Sequence, residues 1–295
     1  MNFRTALLLL FIIPIACKME KRLSLLTKTE LINFPSASSI EFHNDVLYVI
    51  GDDARNIAML DKNYKLLDTF TLFPGNDLRI PKKQKADLEA STIIQHNGKD
   101  SLLVTGSAST PEREFLWLFP LDNMKAYEKT PLTSFISKLR VKQVNFEGLA
   151  AYKDLLIFGN RGNNNIPENQ LIIVSAALDN PLIIDLQIAG DPFKGLSGLT
   201  YVPSKDLLLF TASVEETGSS YEDGKIGSSY LGYIKGFSSK LNQKVLRPDA
   251  LLELFPNEKI ESVAVESVEK DMILHLAADN DNGISTLFKI SLPAP

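Results

Sequence analysis

A short phrase recurs along this chain at intervals of about fifty residues, and no other feature constrains the fold as strongly. Each copy contains an apolar residue, a polar residue that is usually Glu, a small residue, and then apolar or small positions. The polar positions are Ser38, Glu89, Glu147, Ser197 and Glu261, spaced 51, 58, 50 and 64 residues apart. A period near fifty with several strands per repeat is typical of β-propeller blades.

The segments between these phrases are rich in strand-forming runs. Apolar runs of four to seven residues, such as 46–50, 155–158 and 207–210, are bounded by Gly, Asn, Asp, Pro and Ser. Their length and their bounding turn residues favour β-strands over helices. The sequence therefore predicts an all-β domain, a five-bladed propeller. Six blades stay possible if residues 107–143 or 213–258 contain a further sheet.

The two ends of the domain predict how the ring closes. The last repeat, residues 260–290, has room for only three strands, and residues 23–31 precede the first repeat as a free strand. Packing blades face to face in a ring buries their faces and protects their edges. We therefore expect the N-terminal strand to form the outer strand of the last blade.

The N-terminus has the features of an export signal. Arg4 is followed by an apolar run, Ala6 to Ala16, which is too short to span a bilayer. Cys17 is the only cysteine of the chain, and its position after Ala16 resembles that of the lipidated cysteine of lipoproteins. An ordinary secretory signal with an incidental cysteine is the alternative.

These features divide the chain into a signal peptide (1–17), a tether (18–22) and the propeller domain (23–295). We expect an exported lipoprotein of the cell envelope that contacts the membrane only through its anchor. Without another cysteine, the mature domain contains no disulfide of its own.

The net charge of −5 and the pI of about 5.4 exclude a typical nucleic-acid-binding protein, which needs a basic surplus. The partners we expect are a small molecule, a glycan or another envelope protein. We expect the protein to be a monomer.

The repeated glutamates are the main candidates for chemistry. In a propeller the first strand of each blade lines the central channel, so Glu89, Glu147 and Glu261 would converge there with Ser38 and Ser197. Converging carboxylates must bind a cation, share protons or accept hydrogen bonds, and a site of oxygen ligands favours Ca²⁺. The structural alternative is that these residues tie each blade to the backbone of the next.

A second group of candidates follows the second strand of each blade. Asp53, Arg161, Glu215 and Asp279 lie in polar clusters at these strand ends, which predicts a ligand-binding surface at one mouth of the channel. The alternative is that such residues only form turns. The run Lys82–Lys85 is predicted to be a solvated loop.

The phrases Asp87–Ser91 and Asn145–Ala150 resemble those of the bacterial "esterase-like activity of phytase" propellers and of related uncharacterised exported propellers. The resemblance covers about residues 37–290, and it implies a propeller with an acidic site at the channel mouth and a bound calcium ion.

Two functions follow from these observations: a binding lipoprotein, or a calcium-assisted hydrolase of phosphate or carboxylic esters in which Arg161 steadies an oxyanion. A solvent pocket that reaches the glutamates would favour the hydrolase, whereas an apolar plug would favour binding.

Overall fold

The protein is a five-bladed β-propeller, as the sequence predicts. The computed structural model describes residues 23–215 and 226–295, and five sheets form a ring within these residues. The predicted signal peptide with Cys17 and the predicted tether lie outside the described residues.

The strands follow one another blade by blade. The first strand is β1 (Ser24–Leu31). Blade 1 contains β2 (Ala37–His43), β3 (Val46–Gly51), β4 (Asn56–Asp61) and β5 (Leu66–Thr71). Blade 2 contains β6 (Leu88–His96), β7 (Lys99–Gly106), β8 (Phe115–Pro120) and β9 (Glu128–Pro131). Blade 3 contains β10 (Phe146–Tyr152), β11 (Leu155–Asn160), β12 (Asn169–Ser175) and β13 (Leu182–Leu186).

The remaining strands complete the ring. Blade 4 contains β14 (Gly195–Val202), β15 (Leu207–Glu215), β16 (Ile226–Lys235) and, after the short β17 (Val245–Leu246), β18 (Ala250–Pro256). Blade 5 contains β19 (Ile260–Val268), β20 (Asp271–Asp279) and β21 (Ser285–Pro293). Strand β17 pairs with β13 and so extends blade 3.

Helices contribute little to the described part of the chain. The two α-helices are α1 (Thr133–Ile136) and α2 (Phe237–Lys240), and three 3₁₀ turns cover Pro111–Arg113, Met124–Ala126 and Pro203–Lys205. Within residues 23–215 and 226–295, no helix is long and apolar enough to cross a membrane.

The N-terminal strand closes the ring, which confirms the sequence prediction. Strand β1 pairs antiparallel with β21, with Ser24 opposite Ser291 and Leu31 opposite Ser285. Residues 107–143 belong to blade 2 and its connection to blade 3, and the described part of 213–258 belongs to blade 4 and to β17. The six-blade alternative is therefore wrong.

The hydrophobic core is divided into five clusters, one between each pair of neighbouring blades. Between blades 1 and 2, for example, Ile50 and Ile57 pack with Trp117 and Phe119. Each sheet buries both of its faces against its neighbours, so the ring has no separate central core.

The two openings of the ring differ in whether the inner strands begin or finish there. The inner strands β2, β6, β10, β14 and β19 begin at the end where the second strands finish, because each such pair is antiparallel. We call this end the mouth. The opposite end, where the inner strands finish, we call the base.

A buried histidine joins blade 5 to blade 1 where the ring closes. His275 is fully buried, and its Nε2 lies 2.9 Å from Glu266 Oε2. Its Nδ1 lies 2.9 Å from the hydroxyl of Tyr64 in blade 1. Because the Glu266 carboxylate can only accept, Nε2 carries the proton and Tyr64 donates to Nδ1. Lys289 also pairs with Glu266 at 2.6 Å, and Phe42 stacks on the His275 ring.

This histidine predicts a loss of stability in acid. Burial lowers the pKa of His275 from 6.5 to about 4, despite the opposing effect of Glu266. The unfolded chain then binds a proton that the folded chain does not, so the free energy of unfolding falls as pH decreases from 6.5 to 4. The His275 share of this loss is about 3 kcal/mol.

Urea unfolding at a series of pH values tests this expectation. The His275→Gln variant should show a shallower decrease between pH 6.5 and pH 4 than the wild type, because Gln does not titrate. The half-buried His96→Gln variant serves as the control and should keep the wild-type slope. Equal slopes in all three proteins would show that His275 does not cause the acid sensitivity.

Candidate functional site

The polar residue of each repeated phrase is an extra residue in its inner strand. Phe146 pairs with Asn160 and Gly148 pairs with Gly159, so Glu147 has no partner in the ladder. The same shift occurs at the four other positions, Ser38, Glu89, Ser197 and Glu261. Such β-bulges bend a strand and re-aim the side chain of the extra residue.

The two serines at these bulges tie neighbouring blades together. The Ser38 hydroxyl donates to the Leu88 carbonyl at 2.5 Å, and the Ser197 hydroxyl donates to the Ile260 carbonyl at 2.7 Å. Both carbonyls immediately precede the bulged glutamate of the next blade. Ser38 and Ser197 therefore tie each blade to the backbone of the next, which is the structural alternative for the repeated polar residues.

Small residues follow the bulges because the inner strands approach closely there. A Cβ atom added to Gly198 would lie 2.7 Å from the Glu261 carbonyl oxygen of blade 5. One added to Gly148 would lie 2.7 Å from the Leu199 side chain of blade 4. A larger side chain at either position would push two blades apart.

A polar pocket at the mouth reaches the bulged glutamates. It encloses about 850 Å³, including the part that is open to solvent. Eight carboxylates line it: Asp52, Asp87, Glu89, Glu147, Glu215, Glu261, Asp279 and Asp281. Five cationic side chains line it as well: Lys82, Lys85, Arg113, Arg161 and Lys259.

The structure brings three of the four predicted ligand-binding residues together. Arg161, Glu215 and Asp279 all line the mouth pocket. Asp53 is not among the lining residues, and its Oδ2 accepts a hydrogen bond from Arg79 Nε at 2.6 Å. The neighbouring Asp52 lines the pocket instead.

Arg161 lies among carboxylates from three blades. Its Nη2 is 3.0 Å from Glu215 Oε2, and its Nη1 is 3.8 Å from Glu147 Oε2 and 4.0 Å from Glu261 Oε2. Lys259 Nζ lies 3.0 Å from Glu261 Oε1 and 3.8 Å from Glu215 Oε2. These five side chains form the Arg161 cluster.

Lys85 organises a second cluster in the pocket. Its ammonium contacts Asp52 and lies 2.8 Å from Asp87 Oδ1. Arg113 Nη1 donates to Asp87 Oδ2 at 2.7 Å. Lys85 is only 11% exposed, so the prediction of a solvated loop is wrong for this residue. Pairing with two buried carboxylates offsets the cost of burying its charge.

Sequence reasoning missed several of the lining residues, although the repeat contains a signal for some of them. Asp87 and Lys259 both stand two positions before a bulged glutamate. Asn145 occupies the equivalent position before Glu147 and also lines the pocket. Lys85 lies outside the repeated phrase, and no pattern in the sequence identifies it.

Burial makes several of these carboxyl groups weak acids. Desolvation raises the pKa of Glu147 to about 8, although Arg161 opposes the shift. Desolvation, followed by repulsion from Asp87 and Glu147, raises the pKa of Glu89 well above its usual range. Burial also raises the pKa of Asp52 to about 6 and that of Asp279 to about 7. Glu147 therefore carries a proton at neutral pH, in agreement with its long distance to Arg161.

The predicted metal ligands divide between the two clusters. Asp52, Asp87 and Glu89 offer oxygens that all lie within 4.8 Å of one another. Glu147 and Glu261 belong to the Arg161 cluster instead. The donor set suits a hard cation such as Ca²⁺, but the Lys85 ammonium already pairs with Asp52 and Asp87.

Together, these features define a five-bladed propeller with a charged, partly buried pocket at one mouth. The chain matches the model described as "Family of unknown function (DUF6929)" over residues 33–292 and belongs to that family. The family match does not confirm the resemblance to the phytase-like esterase propellers. A search of curated proteins gave no match.

One solved enzyme structure shares the fold, and a second aligns less well. The glutaminyl cyclase of Myxococcus xanthus aligns with a TM-score of 0.52 at 9% identity, over 92% of this chain and 97% of that one. An arabinanase of Bacillus subtilis aligns with a TM-score of 0.48 at 14% identity, over 88% of this chain and 94% of that one. At 9% identity the likeness to the cyclase shows the fold alone.

The serine ties predict a moderate contribution to stability. Ser197→Ala removes a hydroxyl that donates to the buried Ile260 carbonyl, and we expect the free energy of unfolding to fall by about 1–2 kcal/mol. The exposed Ser204→Ala serves as the control and should stay close to the wild type in urea unfolding. An unchanged Ser197→Ala protein would rule out a stabilising tie.

The protonated Glu147 predicts a variant that is more stable than the wild type in alkali. The unfolded chain ionises this residue near pH 4.5, whereas the folded chain does so near pH 8. The wild type therefore loses stability as pH rises from 4.5 to 8, and Glu147→Gln avoids this loss.

Melting temperatures at pH 5 and pH 9 measure this effect. We expect the melting temperature of Glu147→Gln, relative to that of the wild type, to be several degrees higher at pH 9 than at pH 5. The exposed ion-pair residue Glu168 provides the matched control, and Glu168→Gln should show no such gain. A pH-independent difference between Glu147→Gln and the wild type would contradict a raised pKa.

Proposed function

We propose that this protein is an exported, lipid-anchored propeller that binds a small polar ligand, such as a sugar, in its mouth pocket. One observation carries the proposal. Asp52 Oδ1 and Glu261 Oε2 are buried, and neither has a hydrogen-bond partner within the described residues. Both residues line the pocket, and buried acceptors of this kind are costly unless a donor reaches them.

The lining of the pocket defines the chemistry of the ligand. The two unpartnered oxygens require donors, which hydroxyl or amine groups supply. The protonated Glu147 and the Arg161 guanidinium supply donors in return. A ligand that both gives and accepts several hydrogen bonds satisfies this set, and polyhydroxylated molecules do so. Phe193 lines the same pocket and offers an apolar ring face to a sugar.

Export and anchoring are supported by the sequence alone. The short apolar run ends at Cys17, the only cysteine of the chain. Lipidation at Cys17 would place the propeller in the cell envelope, where small polar molecules reach the mouth from the aqueous phase. We propose that the protein acts there as a monomer.

Calcium-assisted ester hydrolysis is the second candidate. It is favoured by a pocket that reaches Glu89 and Glu147 from solvent, and by the grouping of Asp52, Asp87 and Glu89. In this function the three carboxylates would hold calcium, which would stabilise charge that develops on the ester oxygen. Lys85 would have to leave the two aspartates to admit the ion.

Calorimetry with a panel of sugars, amino sugars and amino acids tests the binding proposal. We expect at least one compound to bind the wild type, and to lose about tenfold or more in affinity with Glu261→Gln, because an amide supplies one acceptor fewer. Glu168→Gln is the matched control and should bind normally. A compound whose affinity for the Glu261→Gln variant equals its affinity for the wild type does not bind in this pocket.

A parallel assay separates the two functions. Phosphate and carboxylic esters are incubated with the wild type, with and without calcium, and with Glu89→Gln. Calcium-dependent turnover that disappears in Glu89→Gln would establish the hydrolase. Ligand binding without turnover, and without any effect of calcium on the melting temperature, would leave the binding function alone.

A further inference from the structure

The direction of the closing strand determines where the N-terminal segment joins the propeller. Strand β1 pairs with β21 so that Ser24 lies opposite Ser291 and Leu31 lies opposite Ser285. Ser285 is at the mouth, because it pairs with Asp279 of β20. Ser24 is therefore at the base, and the residues that precede it join the propeller at the base.

The connection between the proposed anchor and the propeller is short. Seven residue steps separate Cys17 from Ser24, and an extended chain of this length spans at most about 25 Å. The eight-residue strand β1 has a similar length, about 26 Å from base to mouth. A lipid at Cys17 therefore holds the base next to the membrane, unless the whole connection runs fully extended along the outside of blade 5.

The exposed apolar side chains are concentrated at this same end. Eight large apolar residues are exposed within the described residues, and six of them lie near the base. These six are Leu25, Leu26, Leu66, Leu67, Tyr127 and Leu182, each between 41% and 57% exposed. The two others, Ile32 and Leu78, lie on the mouth side.

The strand registers place these residues independently of one another. Leu25 pairs with Ile290 near the end of β21. Leu66 pairs with Leu60 next to the β4–β5 turn. Leu182 pairs with Ile173 near the end of β12. All three lie at the start of the fourth strand of a blade, and they belong to blades 5, 1 and 3, so the apolar side chains surround the base rather than form one patch.

We propose that the base of the propeller is its membrane-facing surface, where leucines of the outer strands enter the interfacial layer of a lipid bilayer. The proposal rests on the anchoring part of the proposed function. Leucine and tyrosine side chains favour the boundary between headgroups and acyl chains, and their contribution grows with the apolar area that is buried.

This orientation points the mouth away from the membrane. The pocket with Arg161 and Glu261 then opens into the aqueous compartment, about one strand length above the lipid surface. A soluble ligand reaches it without crossing the headgroup layer.

Fluorescence quenching in vesicles tests the orientation. The lipidated protein is placed in vesicles of phosphatidylethanolamine and phosphatidylglycerol that contain a spin-labelled lipid. Leu67→Cys and Leu78→Cys are labelled separately, and each offers a single free thiol because Cys17 is blocked by lipid. The two positions are matched in exposure, at 54% and 50%. We expect quenching at least about threefold stronger at position 67 than at position 78.

Equal quenching at the two positions, or stronger quenching at position 78, would overturn the orientation. Mass spectrometry of the purified protein tests the anchor separately, because lipidation adds a defined mass at Cys17. An unmodified Cys17 would overturn the anchoring part of the proposed function without affecting the pocket.

Flotation of the unlipidated mature chain with the same vesicles tests the leucines without the anchor. Leu25→Ser with Leu67→Ser should reduce the bound fraction about fivefold or more, whereas Ile32→Ser with Leu78→Ser should leave it unchanged. A similar effect of both pairs would overturn the membrane-facing base. A dimer that only the Leu25 and Leu67 variant disrupts would instead assign this surface to a second copy of the chain, and would also overturn the proposal.

Discussion

The β-bulge at the start of each inner strand is the feature on which the mouth depends. In a regular strand, the side chain before Gly148 or Gly198 would take its place in the alternation between the two sheet faces. The extra residue breaks that alternation, and at four of the five positions it turns a polar side chain into the mouth pocket. The ring uses the same local geometry for two purposes. Serine at a bulge ties one blade to the next, and glutamate supplies a carboxyl group to the pocket.

The cationic side chains of the mouth compensate its carboxylates only in part. Five cationic groups face eight carboxylates, and desolvation keeps Glu147 and Glu89 protonated over a range in which they would ordinarily be ionised. Asp52 and Glu261 each keep one buried oxygen without a donor. Such groups cost stability, and natural proteins retain them mainly where function requires them. Asp53 Oδ1 and Ser262 Oγ, which lie outside the lining of the pocket, are also buried without a hydrogen-bond partner in the described residues.

The sequence predicts the fold well because the repeated phrase and the apolar runs are local patterns that recur five times. It also places Arg161, Glu215 and Asp279 correctly at the mouth, since each follows the second strand of a blade. It does not distinguish Asp52 from Asp53, because side chains of adjacent residues leave a strand end in different directions, and only Asp52 lines the pocket. It fails for Lys85, because a lysine in a charged run enters the pocket only through the three-dimensional path of the connection between blades 1 and 2.

The pairing of β1 with β21 imposes an order on the assembly of the ring. The first strand of the domain cannot find its partner until the last strand has been synthesised, so four blades have all their own strands before the fifth is complete. An unclosed ring leaves β21 as an open edge, and a premature stop anywhere before Ser285 would leave β1 without its partner. The pairing of β1 with β21 that closes the ring therefore forms only in a chain that has been synthesised through its last strand.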